Sequence, residues 1–406
     1  SLYEVSYYQD NTIREIHPKI SGLPSLIRSA SVKDLNKTYY PTKPIVPYVK
    51  TIHDRITIEV MRGCTQGCRF CQAGMSKRPT RPRTVENVLK LAELSYVNTG
   101  HNEISLASLS ISDYPFLKRL MEEMNHVFVP RHVNISFPSL RVNEQLVLLP
   151  SLLNTVRKSG LTLAPEAATP ALRKIINKNI TDEDLYKGIE EAFAQGWNLV
   201  KLYFMVGLPT ETDDDIDAIA RLACNVSDLK KGINGSFGQV NISIAPFVPK
   251  AHTPFQWHPM ITLQRIKEIR NRLFDRIRRK SIRIKFHNTE RSILEGVFAR
   301  GDRRLGRVIY QAWQDGCKFD AWEEHFHFQK WLDAFQKVGV DWTFYVHRQR
   351  NDDEVFPWDH ISCGVVKSFL LHERQKSLHE EITPDCRIEE CPECGSCARS
   401  ANFCTV

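Results

Sequence analysis

The 406-residue chain has no apolar stretch that approaches twenty residues without a charge, so no membrane span is expected. It has no obvious signal peptide, no internal repeat and no low-complexity tract, which argues against a secreted, solenoid or disordered protein. A strong charge imbalance is missing too. Lys and Arg number 55 against 47 Asp and Glu, a formal net charge of +8, with an isoelectric point of about 8.9. Such a moderately basic chain permits an anionic partner such as RNA without demanding one. Eleven cysteines could build a disulfide scaffold, but here they gather in runs with metal-ligand spacing inside a long chain. That usage suits a reducing, cytoplasmic setting. The chain opens on Ser1 rather than Met, and is expected to be a fragment of something longer.

The most informative absence is a single cysteine. Cys64, Cys68 and Cys71 stand as Cys-x3-Cys-x2-Cys in the run from Arg62 to Gly74, and no fourth cysteine joins them in that loop. Three soft thiolates on one tight loop suit three irons of a [4Fe–4S] cube. The fourth iron is then open to a small molecule, which separates a catalytic cluster from an electron carrier. The plain alternative is three thiols close by accident, roughly a one-in-a-hundred coincidence at this cysteine content.

This length buries one large core or two domains. Residues 1–54 are rich in Pro, Lys and Tyr with weak periodicity. Pro18, Pro24, Pro41, Pro44 and Pro47 argue for an extended segment packed on something else. Residues 55–260 alternate strands with helices. Strands are predicted at Arg55–Met61, Glu103–Leu109, Val133–Phe137, Leu161–Ala164, Asn198–Val206 and Gln239–Ala245. Helices are predicted at Thr84–Asn98, near Tyr114–Met124, near Glu144–Lys158, at Thr181–Gln195 and at Thr212–Leu229. Thr181 reads as an N-cap, with Glu183 and Asp184 in the first turn where negative charge suits the helix dipole. Alternation of this kind gives βαβ units and a parallel sheet, curled by right-handed crossovers into a barrel or partial barrel. The loops after the strands carry the chemistry in such folds, and the cysteine loop follows the first strand.

Residues 261–380 change character. Leu263–Arg279 predicts a long helix dense in cations, among them Arg265, Lys267, Arg270, Arg272, Arg276, Arg278 and Arg279. It reads first as a solvated face and second as a surface for RNA or another anion. A strand is predicted at Ile282–Phe286. The aromatic stretch with Trp313, Phe319, Trp322, Phe326, Phe328, Trp331, Phe335, Trp342 and Phe344 reads as helical core packing against the barrel. Residues 381–406 form a cysteine-rich tail, in which Cys386, Cys391, Cys394 and Cys397 stand as Cys-x4-Cys-x2-Cys-x2-Cys with Cys404 behind. A second [4Fe–4S] cluster suits this ferredoxin-like run. Zinc is the other candidate, although structural zinc sites usually join two separated Cys-x2-Cys knuckles. Cys224, Cys317 and Cys363 are isolated and read as packed thiols, Cys317 and Cys363 being the candidates for a hydrogen-atom donor or an extra ligand.

The first cysteine run, with Phe70 just before its last member, resembles the cluster loop of the radical S-adenosylmethionine (SAM) superfamily. The resemblance extends through Ser136-Phe-Pro-Ser-Leu-Arg141, Ala164-Pro-Glu-Ala167, Lys201-Leu-Tyr-Phe-Met-Val-Gly-Leu-Pro-Thr-Glu-Thr212 and Pro357-Trp-Asp-His-Ile361. Together these look like one bacterial radical SAM family of poorly defined role. Its members usually carry an N-terminal cobalamin-binding-like domain; this chain departs from the pattern by lacking it, so the resemblance does not carry cobalamin over. The resemblance implies an α/β fold, a partial (β/α)6 TIM-type barrel with an N-terminal extended segment and a C-terminal helical and cysteine-rich extension. It implies a [4Fe–4S] cluster on Cys64, Cys68 and Cys71 whose open iron is chelated by the amino and carboxylate groups of SAM. One electron, from a donor such as flavodoxin or ferredoxin, then frees a 5′-deoxyadenosyl radical that abstracts hydrogen from a substrate.

Roles follow by position within that frame. Ser108 and Ser110 leave the second strand where the superfamily's main chain pairs with the SAM amino group. Ser136 and Arg141 leave the third strand, and a planar guanidinium there suits the SAM carboxylate or a substrate acid, or else lies on the surface. Glu166 follows the fourth strand as an acceptor for ribose hydroxyls or as a helix-terminal carboxylate. Lys201 shares a face with Tyr203 and is a candidate contact to SAM or substrate. Gly207 begins a tight turn that can bring backbone against adenine or ribose, and the backbone at Ala245 is a candidate adenine contact. RNA or a ribosomal protein, modified by methylation or methylthiolation, is mildly favoured as target over a small metabolite by the basic helix and the tail. The competing reading is a non-enzymatic iron–sulfur or zinc RNA-binding module, against which the barrel pattern and the SAM-type loop argue.

Overall fold

The computed structural model of the chain describes residues 2–49, 51–136 and 160–397. Its frame is a series of parallel strands in two sheets. β1 (Ile56–Glu59), β2 (Glu103–Ala107) and β3 (Asn134–Ser136) form one sheet, paired in that order. β4 (Leu161–Glu166), β5 (Leu199–Val206), β6 (Gln239–Pro246) and β7 (Ile282–Phe286) form the other, also in sequence order. Every pairing in both sheets is parallel. The protein is therefore an α/β partial barrel of the TIM type, as the alternation predicts. The predicted helix near Glu144–Lys158 lies outside the described residues.

Helices connect the strands. After β1 come the short α1 (Gln72–Ser76) and then α2 (Val85–Thr99), capped by Thr84, whose Oγ1 accepts from the Asn87 N–H at 3.2 Å. α3 (Leu117–Phe128) follows β2, while α4 (Pro170–Ile175) and α5 (Asp182–Ala194) follow β4. α6 (Asp213–Asn234) follows β5, and α7 (Leu263–Arg276) runs between β6 and β7. Thr181 with Asp184 and Thr212 with Asp215 close full capping boxes on α5 and α6. Each box satisfies two otherwise orphaned N–H donors.

Alternation along the strands decides what faces what. In β5, Val200, Leu202, Phe204 and Val206 are buried, in one core with Leu185 and Ile189 of α5, Ile219 and Leu222 of α6, and Ile269 and Leu273 of α7. Each fully buried aliphatic chain contributes about 1.5–3 kcal/mol relative to exposure. The intervening Lys201, Tyr203 and Met205 face the other way, are less buried, and line the inner face of the sheet. Ile56, Ile58, Ile104 and Leu106 build a second core against α2 and α3.

Four regions differ from the sequence expectation. Ile282–Phe286 is a seventh parallel strand, in register with Val240 to Ile244 of β6. α7 is neither a solvated face nor an open cationic surface. Its arginines reach acidic residues of α6: Arg272 to Asp213 (3.0 Å) and Asp217 (2.7 Å), and Arg276 to Asp217 (2.9 Å), with Arg279 just beyond bonding Asp228 (2.7 Å). The aromatic stretch splits. Trp331 and Phe335 are buried with Tyr345 in a third core, together with residues of α8 (Thr289–Arg300), α9 (Leu305–Gln314) and α10 (Phe328–Val338). Trp313, Phe319 and Trp322 instead are 54%, 67% and 56% exposed. The N-terminal segment contains a hairpin, Tyr3–Tyr7 antiparallel to Ile13–Pro18, which prolines at its edge do not forbid. Among the described residues no helix is long and apolar enough to cross a membrane.

Candidate active site

The site is built around the loop after β1. Met61–Arg62 pairs antiparallel with Arg81–Pro82 and closes a loop over residues 63–80. Gly63 (φ +94°) is required at its neck, because a Cβ there would lie 2.7 Å from the carbonyl oxygens of Lys77 and Pro79. Cys64, Cys68 and Cys71 all fall in this loop, and none is in a disulfide. Cys71 caps α1, its Sγ accepting from the Gly74 N–H at 3.3 Å. Burial pushes the Cys71 thiol up from its ordinary value. Gly74 and Lys178 pull it down, while Cys68 and Glu166 push it up. Cys68, Lys178 and Glu166 therefore lie within electrostatic reach of Cys71.

The loop is held from three directions. Arg69, between Cys68 and Cys71, is fully buried. Its Nε donates to Glu373 Oε2 at 3.1 Å, on α11 (Lys367–Leu378), and its Nη1 donates to the carbonyls of Lys174 and Ile175 at the end of α4, at 3.0 and 3.1 Å. Nη2 reaches the Glu381 carbonyl at 2.8 Å. Asn177 Nδ2 donates to the carbonyls of Gln66, Gly67 and Thr383 at 3.1, 3.2 and 3.0 Å. From the β2 side, Gln66 Nε2 donates to Asp113 Oδ1 at 3.0 Å and to Asp385 Oδ2 at 3.1 Å.

Around this loop the expected site residues divide. Phe70 packs with Ala167, Leu172, Leu208 and Phe247, joining the cysteine loop to the ends of β4, β5 and β6. Glu166 ends β4 at φ +68°, 3.8 Å from Lys178 Nζ, and burial raises its carboxyl against the pull of that lysine. Ser108 and Ser110, just past β2, each have a buried hydroxyl with no hydrogen-bond partner. Ala245 pairs with Met205 on the inner face, and Lys201 with Thr162 and Asn241. Lys201 is only partly buried, contrary to the expectation of a buried lysine; its Cε lies by Gly160 at the start of β4, away from the strand ends that carry the loop. The Ser136 hydroxyl is already engaged, donating to Glu103 Oε1 at 3.3 Å at the start of β2, and so is not gathered with Ser108 or Glu166. Gly207 (φ +83°) turns the chain as expected, but a Cβ there would strike Ile261 at 2.6 Å, so the close approach is to a side chain of the protein. Its N–H donates to Glu211 Oε1 at 2.7 Å; burial pushes the Glu211 carboxyl up to about 7. Arg141 lies outside the described residues.

Arg69, Arg78, Asn177, Lys178 and Glu373 were not singled out from sequence. Arg69 sits inside the motif and could have been flagged as a charge in a tight loop. Asn177 and Glu373 carry no local signal.

The cysteine tail folds back onto this loop. Asp385 accepts from Gln66, and Arg387, bonded to Asp385, also reaches Asp113 Oδ1 at 3.3 Å. The Cys394 carbonyl accepts from the Val366 N–H at 3.1 Å, and Cys394 is buried with Met75, Trp257, Trp358 and Phe369. Trp358 and its neighbours in the Pro357–Ile361 motif thus build the floor under the tail. Cys386, Cys391 and Cys394 carry no disulfide and lie within electrostatic reach of one another. Cys397, expected as a fourth ligand, is disulfide-bonded, which removes its thiolate from the set. Burial raises the Cys394 thiol, but Arg78 and the Ser396 N–H outweigh it and bring it below its ordinary value.

The residues fit the groups that the sequence implies. Three cysteines on one glycine-hinged loop offer one thiolate to each of three cube corners. Among the described residues no three His, Cys, Asp or Glu are gathered as a single metal ion would need, a closeness that a cube does not require. The orphaned hydroxyls of Ser108 and Ser110 fit a polar ligand at the same mouth, since buried polar groups rarely stay unpaired.

Residues 58–223 match the family model of the radical SAM superfamily. An uncharacterised protein of Methanocaldococcus jannaschii is 30% identical over 336 residues, covering 82% of this chain and 68% of the relative. The ribosomal protein uS12 methylthiotransferase RimO of Thermotoga maritima is 22% identical over 293 residues, covering 65% of this chain and 66% of the relative. A tRNA-2-methylthio-N(6)-dimethylallyladenosine synthase of Hydrogenobaculum sp. is 24% identical over 187 residues, and the chain spans 42% of that enzyme's length.

Proposed function

The chain belongs to the radical SAM superfamily, and we propose that Cys64, Cys68 and Cys71 hold three irons of a [4Fe–4S] cluster whose fourth iron takes SAM. When bound, that cluster supplies the electron for reductive cleavage of SAM to methionine and a 5′-deoxyadenosyl radical. The observation that carries the reading is the loop itself: three thiols between two glycine hinges, clamped at Arg69 and open toward the strand ends. Glu166 faces the ligand as acceptor for ribose hydroxyls, and Lys178 keeps its carboxylate charged. Ser108 and Ser110 supply hydroxyls to the methionyl end, and Phe70 shields the loop from water on the β4–β6 side.

The hydrogen donor is proposed to be a macromolecule, an RNA or a ribosomal protein. The support is the likeness to a ribosomal-protein and a tRNA methylthiotransferase, at 22% and 24% identity. The basic helix no longer contributes to this, because its arginines bond α6. The tail cysteines are proposed to hold a second metal–thiolate centre, iron–sulfur or zinc. Anaerobically reconstituted protein should convert SAM and dithionite to 5′-deoxyadenosine and methionine. A reconstituted protein that binds iron and sulfide yet leaves SAM intact would defeat the reading. Incubation with deuterated cell fractions would then name the target class, since only the fraction holding the substrate delivers deuterium into 5′-deoxyadenosine.

A further inference from the structure

Arg78 stands between the two cysteine groups. It is 7% exposed, two residues past α1. Its Nε donates to the Gly74 carbonyl at 3.3 Å and its Nη2 to the Thr65 carbonyl at 3.5 Å, both in the cluster loop. Its guanidinium lies 5.8 Å from the centre of the Phe369 ring on α11. Its Nη1 is buried with no hydrogen-bond partner, and no carboxylate among the described residues pairs with it. The other buried arginine of this region, Arg69, has Glu373. A guanidinium does not shed its proton inside a protein. A buried, uncompensated charge costs several kcal/mol, so an anion is owed to Arg78. The groups that face it are thiols: it acts electrostatically on both Cys386 and Cys394, which in turn lie within reach of Cys391.

Three thiolates around a doubly positive core, whether zinc or an oxidised [4Fe–4S] cube, leave one net negative charge. That matches the single charge of Arg78. We propose that Arg78 is the counter-ion of a metal–thiolate centre on Cys386, Cys391 and Cys394, and that its hold on the Thr65 and Gly74 carbonyls couples that centre to the Cys64–Cys71 loop. This rests on the reading that the tail cysteines bind metal. Arg78 is a positioning residue: it touches neither SAM nor the reacting atoms.

The coupling has a sign that a purely structural role lacks. Removing Arg78 takes a positive charge from beside the loop cluster and should make its reduction harder. Removing the tail centre takes away a negative charge and should make reduction easier. Full-length protein is reconstituted with Fe(II) and sulfide, or with Zn(II) alone, and the loop cluster is titrated redox-wise by its paramagnetic signal. Arg78→Met is expected to move the midpoint negative and to speed loss of tail metal to a chelator about tenfold. Cys386→Ser/Cys391→Ser/Cys394→Ser is expected to move the midpoint positive, each by about a tenfold change in the reduction equilibrium (~59 mV for one electron). Arg78→Lys keeps the charge and should restore most of the wild-type value; it stands in should Arg78→Met fail to fold. Cys64→Ala/Cys68→Ala/Cys71→Ala protein should still hold the tail metal, with acid-labile sulfide if it is a cluster and without it if it is zinc. Shifts of the same direction, no shifts, or no tail metal in that last variant overturn the inference. Wild type that holds tail metal but leaves SAM intact would instead sink the proposed function and leave this coupling standing.

Discussion

Cys64, Cys68 and Cys71 sit on a loop tied down almost residue by residue, with glycines at 63 and 67, the carbonyls of Gln66 and Gly67 bonded to Asn177, and Arg69 locked to Glu373. Cys386, Cys391 and Cys394 ride on a segment without helix or strand, held by a turn at Asp385, by the Cys394 carbonyl on Val366 and by side chains. Cys391 is exposed. The loop is shaped before any metal arrives, as a site that must leave one iron open requires. The tail owes more of its shape to its ligand, as small metal-bound segments do.

The strongest way to break this contrast is to remove one thiol from each group. Cys68→Ala should abolish 5′-deoxyadenosine formation to the level of a no-enzyme control. Cys391→Ser should lower it less than tenfold, because the open-iron cluster keeps all its ligands. Equal loss in both variants would mean that the two groups act as one site.

The clamp between them comes next. Arg69 and Glu373 are both essentially buried, 3.1 Å apart. Glu373→Ala leaves a buried guanidinium without its partner, and such a change costs about 3–5 kcal/mol. It should appear as a lowered denaturant midpoint together with faster loss of iron from the loop. Glu373→Gln, which keeps a hydrogen-bond acceptor, should lose less. An unchanged midpoint would show that the tail does not brace the loop.

Much of the loop was legible in the sequence because its information is local. Cysteine spacing, strand–helix alternation and the N-cap threonines Thr84, Thr181 and Thr212 act over a few residues, and the strands fall within a few residues of where their patterns put them. What was not legible depends on partners far along the chain. Glu373 lies 304 residues from Arg69, and nothing in either neighbourhood announces the pair. The basic helix was misread for the same reason: Asp213 and Asp217 read as helix-opening acids, and only the fold shows them facing Arg272 and Arg276. Trp313 and Trp331 look alike in sequence, but α9 turns the first outward and α10 turns the second into the core.

A third test separates the mouth from the tail by pH. The Glu211 carboxyl is raised from 4.5 to about 7 because it is buried, despite hydrogen bonds from the Gly207 and Leu208 N–H groups. A carboxyl whose folded value is the higher one favours the folded state below its unfolded value and loses that contribution as pH rises toward 7. The difference amounts to about 3 kcal/mol. Wild type should therefore lose stability between pH 4.5 and 7 relative to Glu211→Gln, measured by urea denaturation at each pH. The tail metal should be retained equally in both proteins. Parallel stability curves would show that Glu211 stays charged in the fold.

The smallest effect is expected at Glu166, and it bears on the mouth alone. Its φ of +68° is unusual for a residue with a long side chain, and holding it there costs about 1–3 kcal/mol. Gly or Asn would adopt that angle more cheaply, so a need for the carboxylate is the simplest reason for glutamate here. Glu166→Gln keeps the shape and one acceptor but removes the charge that strengthens bonds to ribose hydroxyls. SAM should bind the iron-loaded protein about tenfold more weakly, a change of ~1.4 kcal/mol, while tail metal and the loop-cluster potential move little. If the carboxylate served only to neutralise Lys178, 3.8 Å away, then Lys178→Met would restore SAM binding to the Glu166→Gln protein. If it binds ribose, adding Lys178→Met should not restore the affinity, because the charged acceptor is still missing.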